Sequence, residues 1–193
     1  MQAALDAAKA NNWRLLSDSS WKGYTIVPHR LMEGYLQMAV EAFEQMPKAP
    51  THIILQAGVG GMAGAVAAMA RNTYGNDPSI IVVEPDFAPA LYESIEQGSS
   101  VTTSGPVSYM GRLDCKEPSL IALKGLSNDA DFFALISDEE GSSSMPELTS
   151  HDLKTTPSGG AGISFLMSCK DKAAFGIDET SRILTFLSEG QDT

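Results

Sequence analysis

The stretch Ile53–Ala70, IILQAGVGGMAGAVAAMA, decides the fold. It begins with an apolar run typical of a buried strand and ends with small apolar residues typical of a helix packed against a sheet. Between them lie Gly58, Gly60, Gly61 and Gly64. Glycines allow a tight turn and leave backbone N–H groups uncovered, and the N-terminus of a helix adds a partial positive charge. The segment therefore predicts a main-chain cradle for a phosphate, although such glycines could also serve only close packing of the helix on the sheet.

Apolar strands and helices alternate along the rest of the chain. Because such strands are buried on both sides, the pattern predicts an α/β fold with a mainly parallel sheet and helices on both faces. Strands are predicted at 52–56, 79–83, 132–136 and 183–187, with a further short strand at 13–16. Helices are predicted at 28–46, 62–71, 87–95 and 118–126, and the segment 159–169 has a glycine-rich start followed by an apolar run. The acidic, serine-rich segment 137–156, interrupted by Pro146, is predicted to be a loop.

Composition argues against several functional classes. The 193 residues carry a formal net charge of −11, whereas nucleic-acid binders need clustered Lys and Arg. No apolar run approaches the ~18 residues of a membrane span. Cys115 and Cys169 are far apart and predict reduced thiols in a cytoplasmic protein. The histidines His29, His52 and His151 are isolated, so we expect no metal site.

The glycine loop alone is compatible with two functions. Gly58, Gly60 and Ala63 fit the spacing G-x-G-x-x-A, and Glu84 ends the next predicted strand, where an acid would bind a ribose. This pattern favours an NAD(P)-binding, Rossmann-like domain. The other hypothesis is a non-catalytic protein that uses the cradle to bind a phosphate or a phosphorylated cofactor, or that serves as an interaction protein.

A longer series of motifs resembles one enzyme family. The motifs are DSSWKGY at 18–24, QAGVGGMAG at 56–64, SIIVVEPD at 79–86, YMGRLDCKEP at 109–118, PSGGAG at 157–162 and LSEGQD at 187–192. Their order is similar to that of the fold-type-II pyridoxal-phosphate enzymes, and within them to the diaminopropionate ammonia-lyase family. The resemblance extends over essentially the whole chain.

The resemblance implies roles for particular residues. It implies that loop amides hold the phosphate of pyridoxal 5′-phosphate, and the residues concerned are Gly58, Val59, Gly60, Gly61 and Met62. Ser188 would face the pyridine nitrogen, and a hydroxyl there leaves the nitrogen largely unprotonated, which suits elimination. Asp18 matches an acid that the family places near its small amino-acid substrate.

The resemblance also implies that the chain is the C-terminal part of a longer enzyme. Residues 1–27 would be a remnant of the small domain, and 28–193 part of the large domain that binds the cofactor. Enzymes of the family convert 2,3-diaminopropionate to pyruvate and ammonia, using a Schiff-base lysine whose motif is absent from this sequence. We therefore expect an incomplete ammonia-lyase that is inactive alone. Its apolar surface would be covered by another copy, giving a homo-oligomer, or by a separate N-terminal fragment.

Overall fold

The computed structural model describes residues 2–190, in which one or more helices separate each strand from the next. The strands are β1 (His52–Gln56), β2 (Ser79–Pro85), β3 (Phe132–Ile136) and β4 (Ile183–Thr185). The α-helices are α1 (Gln2–Asn11), α2 (Ile26–Gln45), α3 (Gly61–Tyr74), α4 (Ala90–Gln97), α5 (Leu120–Asp129), α6 (Asp138–Ser143), α7 (Met145–Ser150) and α8 (Ala161–Ser168). A 3-10 turn covers Lys172–Phe175.

These strands form one sheet in the order β3-β2-β1-β4, and every pair is parallel. Ile54 of β1 lies opposite Ile81 of β2 on one side and Thr185 of β4 on the other. Because all strands run in one direction, the loops that follow them meet at one edge of the sheet. The chain leaves β1 towards β2 on one side, whereas β4 pairs with β1 on the other side. Loops that diverge in this way leave a crevice at the carboxyl ends of the strands.

Helices cover both faces of this sheet, as predicted. Ile53 and Leu55 pack with α2, α3 and α5, whereas Ile54 packs with α8 on the opposite face. All three side chains are fully buried. Burial of each such aliphatic side chain contributes about 1.5–3 kcal/mol, so β1 anchors both halves of the core.

The segment 137–156 is a correction to the sequence prediction, because it contains α6 and α7 instead of a loop. Ser137 and Glu140 form a capping box at the start of α6, in which each side chain bonds the backbone N–H of the other. Pro146 lies in the first turn of α7, where a proline is tolerated. Leu148 is buried, so a capping box stabilises α6 and one apolar anchor stabilises α7 despite their polar composition.

The predicted strand at 13–16 was wrong. These residues belong to no described strand, and pairing nearby is limited to a bridge between Trp21 and Tyr24, whose rings stack at 4.3 Å. Other boundaries differ slightly: β2 extends to Pro85 and β4 ends at Thr185. The predicted domain division at 27/28 falls inside α2 and stays a prediction. Within residues 2–190, no helix combines the length and apolarity needed to cross a bilayer.

Two helical glycines test how tightly α8 packs on the sheet. A Cβ on Gly162 would lie 2.8 Å from Thr185 Oγ1, 3.0 Å from Gln56 Oε1 and 3.2 Å from the Ile54 carbonyl oxygen, whereas a Cβ on Gly125 of α5 would meet nothing within 4 Å. We expect Gly162→Ala to lower the free energy of unfolding by about 1–3 kcal/mol. Gly125→Ala should raise it by about 0.5–1 kcal/mol, since alanine is the better helix former. Urea unfolding of both variants measures the difference, and equal effects would contradict the packing described.

Candidate functional site

A cavity of about 240 Å³ opens at the carboxyl edge of the sheet, between the loops after β1 and β4. Its lining contains every site residue predicted from the sequence: Asp18, Gly58, Val59, Gly60, Gly61, Met62 and Ser188. The structure therefore brings together three regions that are far apart along the chain.

The loop after β1 presents a run of unpaired backbone N–H groups. Ala57 N–H donates to the Val83 carbonyl, and Gly64 N–H donates to the Gly60 carbonyl within the first turn of α3. Among residues 2–190, no oxygen accepts a hydrogen bond from any N–H between 58 and 63, and the Val59 N–H points to the Cys115 sulfur. These donors lie at the positive end of the α3 dipole, an arrangement that binds anions without a basic side chain.

Two glycines fix the shape of this loop. Gly60, immediately before α3, has φ +94°, and a Cβ there would lie 3.1 Å from Leu91. A Cβ on Gly58 would approach Cys115 Sγ to 3.0 Å and the Arg112 carbonyl oxygen to 3.1 Å. Side chains at either position would therefore displace the loop that carries the unpaired donors.

Hydrogen bonds of two nearby serines hold the segment that carries Asp18 beside the cavity. Ser20 N–H donates to Ser119 Oγ at 3.0 Å, and the two hydroxyls lie 2.7 Å apart. The Leu120 N–H, at the start of α5, donates to the Ser20 carbonyl. Ser119 N–H in turn donates to the Val59 carbonyl. The segment that carries Asp18 is thus attached to α5 and, through α5, to the glycine loop.

Ser188 lies beyond β4 and is held by Gln56, the last residue of β1. Gln56 Nε2 donates to Ser188 Oγ at 3.0 Å, and Ser188 N–H donates to the Gly159 carbonyl. β1 and β4 are neighbours, so the glycine loop and Ser188 face each other across the cavity.

The charged side chains that line the cavity are Asp18, Arg112 and Glu189. Arg112 Nε lies 3.1 Å from Glu189 Oε1, so the cation is already paired. Cys115 also lines the cavity, and burial, together with the negative charge of Asp18, raises the pKa of its thiol. An anion in the cavity would consequently depend on main-chain dipoles more than on side-chain charge.

Glu84 does not line the cavity, as a ribose-binding acid would. It is buried, and its oxygens accept hydrogen bonds from Leu91 N–H at 2.9 Å and Tyr92 N–H at 2.7 Å, in the first turn of α4. The carboxyl group is therefore used to cap α4. This geometry disfavours the NAD(P)-binding hypothesis.

Sequence reasoning missed the groups that act through long-range contacts. Gln56, Arg112 and Glu189 line the cavity, and Ser20 and Ser119 support it. The available signal was that all but Ser119 of these residues stand inside the quoted motifs. Nothing local in the sequence pairs residues that lie about a hundred positions apart. Within residues 2–190, no group of metal-ligating side chains comes together.

A fold with this strand order and a glycine loop at the carboxyl edge defines a phosphate-binding α/β protein. The chain belongs to the family of pyridoxal-phosphate-dependent enzymes, whose family model matches residues 1–189. This confirms the family resemblance and the cofactor that it implied.

Within this family, the chain is similar in sequence and in structure to diaminopropionate ammonia-lyases. The chain is 42% identical over 123 residues to diaminopropionate ammonia-lyase of Salmonella typhimurium, a match covering 60% of this chain and 30% of that protein. The Escherichia coli diaminopropionate ammonia-lyase, solved with an aminoacrylate–PLP azomethine reaction intermediate, superposes with a TM-score of 0.88 at 29% identity. That superposition covers 98% of this chain and 52% of the other, so the chain spans about half of its relative's length. Maize serine racemase shares the fold, with a TM-score of 0.83 at 19% identity, over 100% of this chain and 57% of its own.

The residues present fit pyridoxal phosphate. The unpaired amides from 58 to 63 suit the phosphate, and the Ser188 hydroxyl across the cavity suits a ring nitrogen. Gly58, Gly60 and Gly61 carry no side chain, so a ligand can approach the main chain at these three positions.

The burial of the Glu84 carboxyl group can be tested through the pH dependence of the free energy of unfolding. Burial raises its pKa to about 8, an effect larger than the opposing hydrogen bonds from Leu91 and Tyr92. As the pH rises, the unfolded chain loses this proton first, near pH 4.5, so the free energy of unfolding falls until the folded group ionises near pH 8. We expect Glu84→Gln to reduce this fall by about 2 kcal/mol or more between pH 5 and pH 8.

Urea unfolding at the two pH values measures this effect. Glu96→Gln, on the exposed side of the same helix, is the matched control and should retain the full dependence on pH. A Glu84→Gln protein with an unchanged pH dependence would show that the carboxyl group is ionised throughout.

Proposed function

We propose that this chain supplies the phosphate cradle and the ring-nitrogen partner of a pyridoxal-phosphate-dependent ammonia-lyase that acts on a small amino acid such as 2,3-diaminopropionate. The observation that carries the proposal is the run of unpaired N–H groups from 58 to 63 at the N-terminus of α3. Similarity to diaminopropionate ammonia-lyases supports the reaction class.

The cradle binds the phosphate through Gly58, Val59, Gly60, Gly61 and Met62. Each donor belongs to the main chain, so its direction is fixed by the turn before any ligand enters. Such preorganised donors lose little freedom on binding, which favours affinity. Phosphate binding at this point orients the rest of the cofactor towards Ser188.

Ser188 donates a hydrogen bond to the pyridine nitrogen in this proposal. When bound, pyridoxal phosphate supplies an electron sink for negative charge at the α-carbon of an amino acid. A neutral hydroxyl partner leaves the nitrogen unprotonated. Asp18, held at the mouth of the same cavity by the serine network, contacts the amino-acid substrate.

One observation supports the second candidate, a cofactor-binding protein without catalysis. In the part of the chain that the structure describes, no lysine lines the cavity. A group able to activate the cofactor covalently would then have to come from outside these residues. We therefore propose that this chain alone binds cofactor without turnover. The free thiols Cys115 and Cys169 suit the reducing cytoplasm, where we place the protein.

Two left-handed glycines test the cradle. Gly60→Ala would strain φ +94° and press a Cβ against Leu91, displacing the first turn of α3. We expect it to weaken binding of inorganic phosphate and of pyridoxine 5′-phosphate, which lacks the aldehyde that reacts with lysines, about tenfold or more. Gly98→Ala imposes a similar strain at φ +65°, does not line the cavity, and should keep the affinity of the unchanged protein.

Isothermal titration calorimetry measures both affinities, with circular dichroism as the check on folding. NAD is titrated in parallel, and preference for NAD over pyridoxine 5′-phosphate would favour the dinucleotide hypothesis. Failure of the unchanged protein to bind either phosphate compound would overturn the proposed function.

Assembly is a further consequence of the proposal. Large apolar side chains are exposed near the N-terminus, including Trp13 (66% exposed), Leu16 (76%) and Ile26 (74%). β3 and β4 lie at the outer positions of the described sheet. We expect the isolated chain to self-associate at micromolar concentration, since burial of such a surface is favourable. Sedimentation velocity over a concentration series measures this, and a stable monomer throughout would contradict it.

A further inference from the structure

The ammonium group of Lys116 joins three separate places in the chain. Its Nζ donates hydrogen bonds to the Phe87 carbonyl at 2.6 Å, the Pro106 carbonyl at 2.8 Å and Asp114 Oδ1 at 2.7 Å. A lysine ammonium has three N–H donors and no lone pair, so these oxygens satisfy all of its donors. Asp114 also pairs with its charge, and the Lys116 side chain is only 27% exposed. The side chain is therefore a tether between loops, whereas most lysines carry a solvated surface charge.

The segment around this tether has no regular structure of its own. Residues 98–119, between α4 and α5, form no helix or strand, and Phe87 lies in the loop that follows β2. Thr103 N–H donates to the Lys116 carbonyl at 2.8 Å. A Cβ on Gly105 would lie 3.1 Å from the Phe87 carbonyl oxygen, so the two loops are in close contact. An irregular segment of this kind depends on individual contacts to keep one conformation.

The residues just before Lys116 form one wall of the cavity, which we define as residues 112–115. Leu113 and Cys115 of this wall line the cavity. The wall packs directly against the glycine loop, because a Cβ on Gly58 would lie 3.0 Å from Cys115 Sγ and 3.2 Å from Leu113 Cα. A displacement of Lys116 would therefore move the surface against which the cradle is held.

We propose that Lys116 is a positioning residue for the phosphate cradle, because its ammonium group ties the wall to the loop after β2 and to Pro106. The inference rests on the proposed function, since it takes the glycine loop as the phosphate site. It assigns a role to a lysine that does not itself line the cavity. A neutral apolar side chain at this position would leave two carbonyl oxygens and one carboxylate oxygen without their donor.

Lys116→Ala tests the tether while leaving the cavity lining intact. The substitution removes three methylene groups and the ammonium, so free propylammonium has the size and charge of the missing part. The position of the wall is measured as the rate at which iodoacetamide alkylates Cys115. This measurement uses a Cys169→Ala background, which leaves Cys115 as the one remaining thiol. Burial raises the pKa of the Cys115 thiol and slows its alkylation as long as the wall stays in place.

We expect Lys116→Ala to raise the alkylation rate about tenfold or more, because a released wall exposes the thiol. Loss of a neighbouring positive charge would by itself slow the reaction, so a faster rate reports exposure. Binding of pyridoxine 5′-phosphate, measured by isothermal titration calorimetry, should weaken about fivefold or more. Added propylammonium should reverse both changes, whereas tetramethylammonium, which has no N–H donor, should reverse neither.

Lys124→Ala is the matched control, because Lys124 is exposed on α5, lies outside the cavity lining and carries the same charge. It should change neither the alkylation rate nor the affinity. If Lys116→Ala does not fold, as judged by circular dichroism, Lys116→Met takes its place, because methionine keeps an apolar stem and loses the charged donor. Lys116→Met should also show faster alkylation and weaker binding. Propylammonium should not rescue it, since the methionine side chain fills the space.

The outcomes separate this inference from the proposed function. An unchanged alkylation rate in the Lys116 variant overturns the tether, and an equal increase in Lys124→Ala overturns it too. Reversal by tetramethylammonium also counts against it, because ionic strength alone would then restore the wall. Faster alkylation with unchanged affinity overturns the role of Lys116 for the cradle. Failure of the unchanged protein to bind pyridoxine 5′-phosphate overturns the cradle itself, and the alkylation rate then still decides whether Lys116 holds the wall.

Discussion

The turn from β1 into α3 constrains everything else at the site. Gly60 takes up a left-handed conformation there, and the main chain enters the helix with its donors from 58 to 63 unpaired. The buried aliphatic residues of β1 hold one end of this turn, and the packed face of α3 holds the other. The cradle is thus a product of core packing, and its geometry is set before any ligand arrives.

Long-range polar contacts complete the cavity around that turn. The Val59 carbonyl accepts from Ser119, and Ser119 binds Ser20, so the segment bearing Asp18 follows the position of the glycine loop. On the opposite side, Gln56 links β1 to Ser188. Residues from the beginning, middle and end of the chain are therefore fixed to one strand-helix unit by a few hydrogen bonds.

Local patterns in the sequence predicted the parallel sheet, because a buried strand such as 79–83 is apolar on both faces whatever its neighbours. They also placed the glycine turn between β1 and α3, since glycine density at a strand end indicates a tight turn. Two short helices in 137–156 escaped prediction because caps and one buried Leu148 stabilise them in the absence of an apolar stripe. The role of Glu84 as a helix cap depended on where α4 lies, which local composition does not reveal.

A cradle made only of main-chain donors has an evolutionary consequence. Every amino acid except proline carries an amide hydrogen, so substitutions at the partly exposed Val59 or Met62 leave the donors in place. A site built from lysine or arginine loses its anion affinity when that side chain is replaced, whereas this loop tolerates side-chain changes as long as Gly58 and Gly60 keep the turn. In a lineage where the catalytic side chains diverge, the capacity to hold a phosphorylated cofactor would be among the last features to disappear.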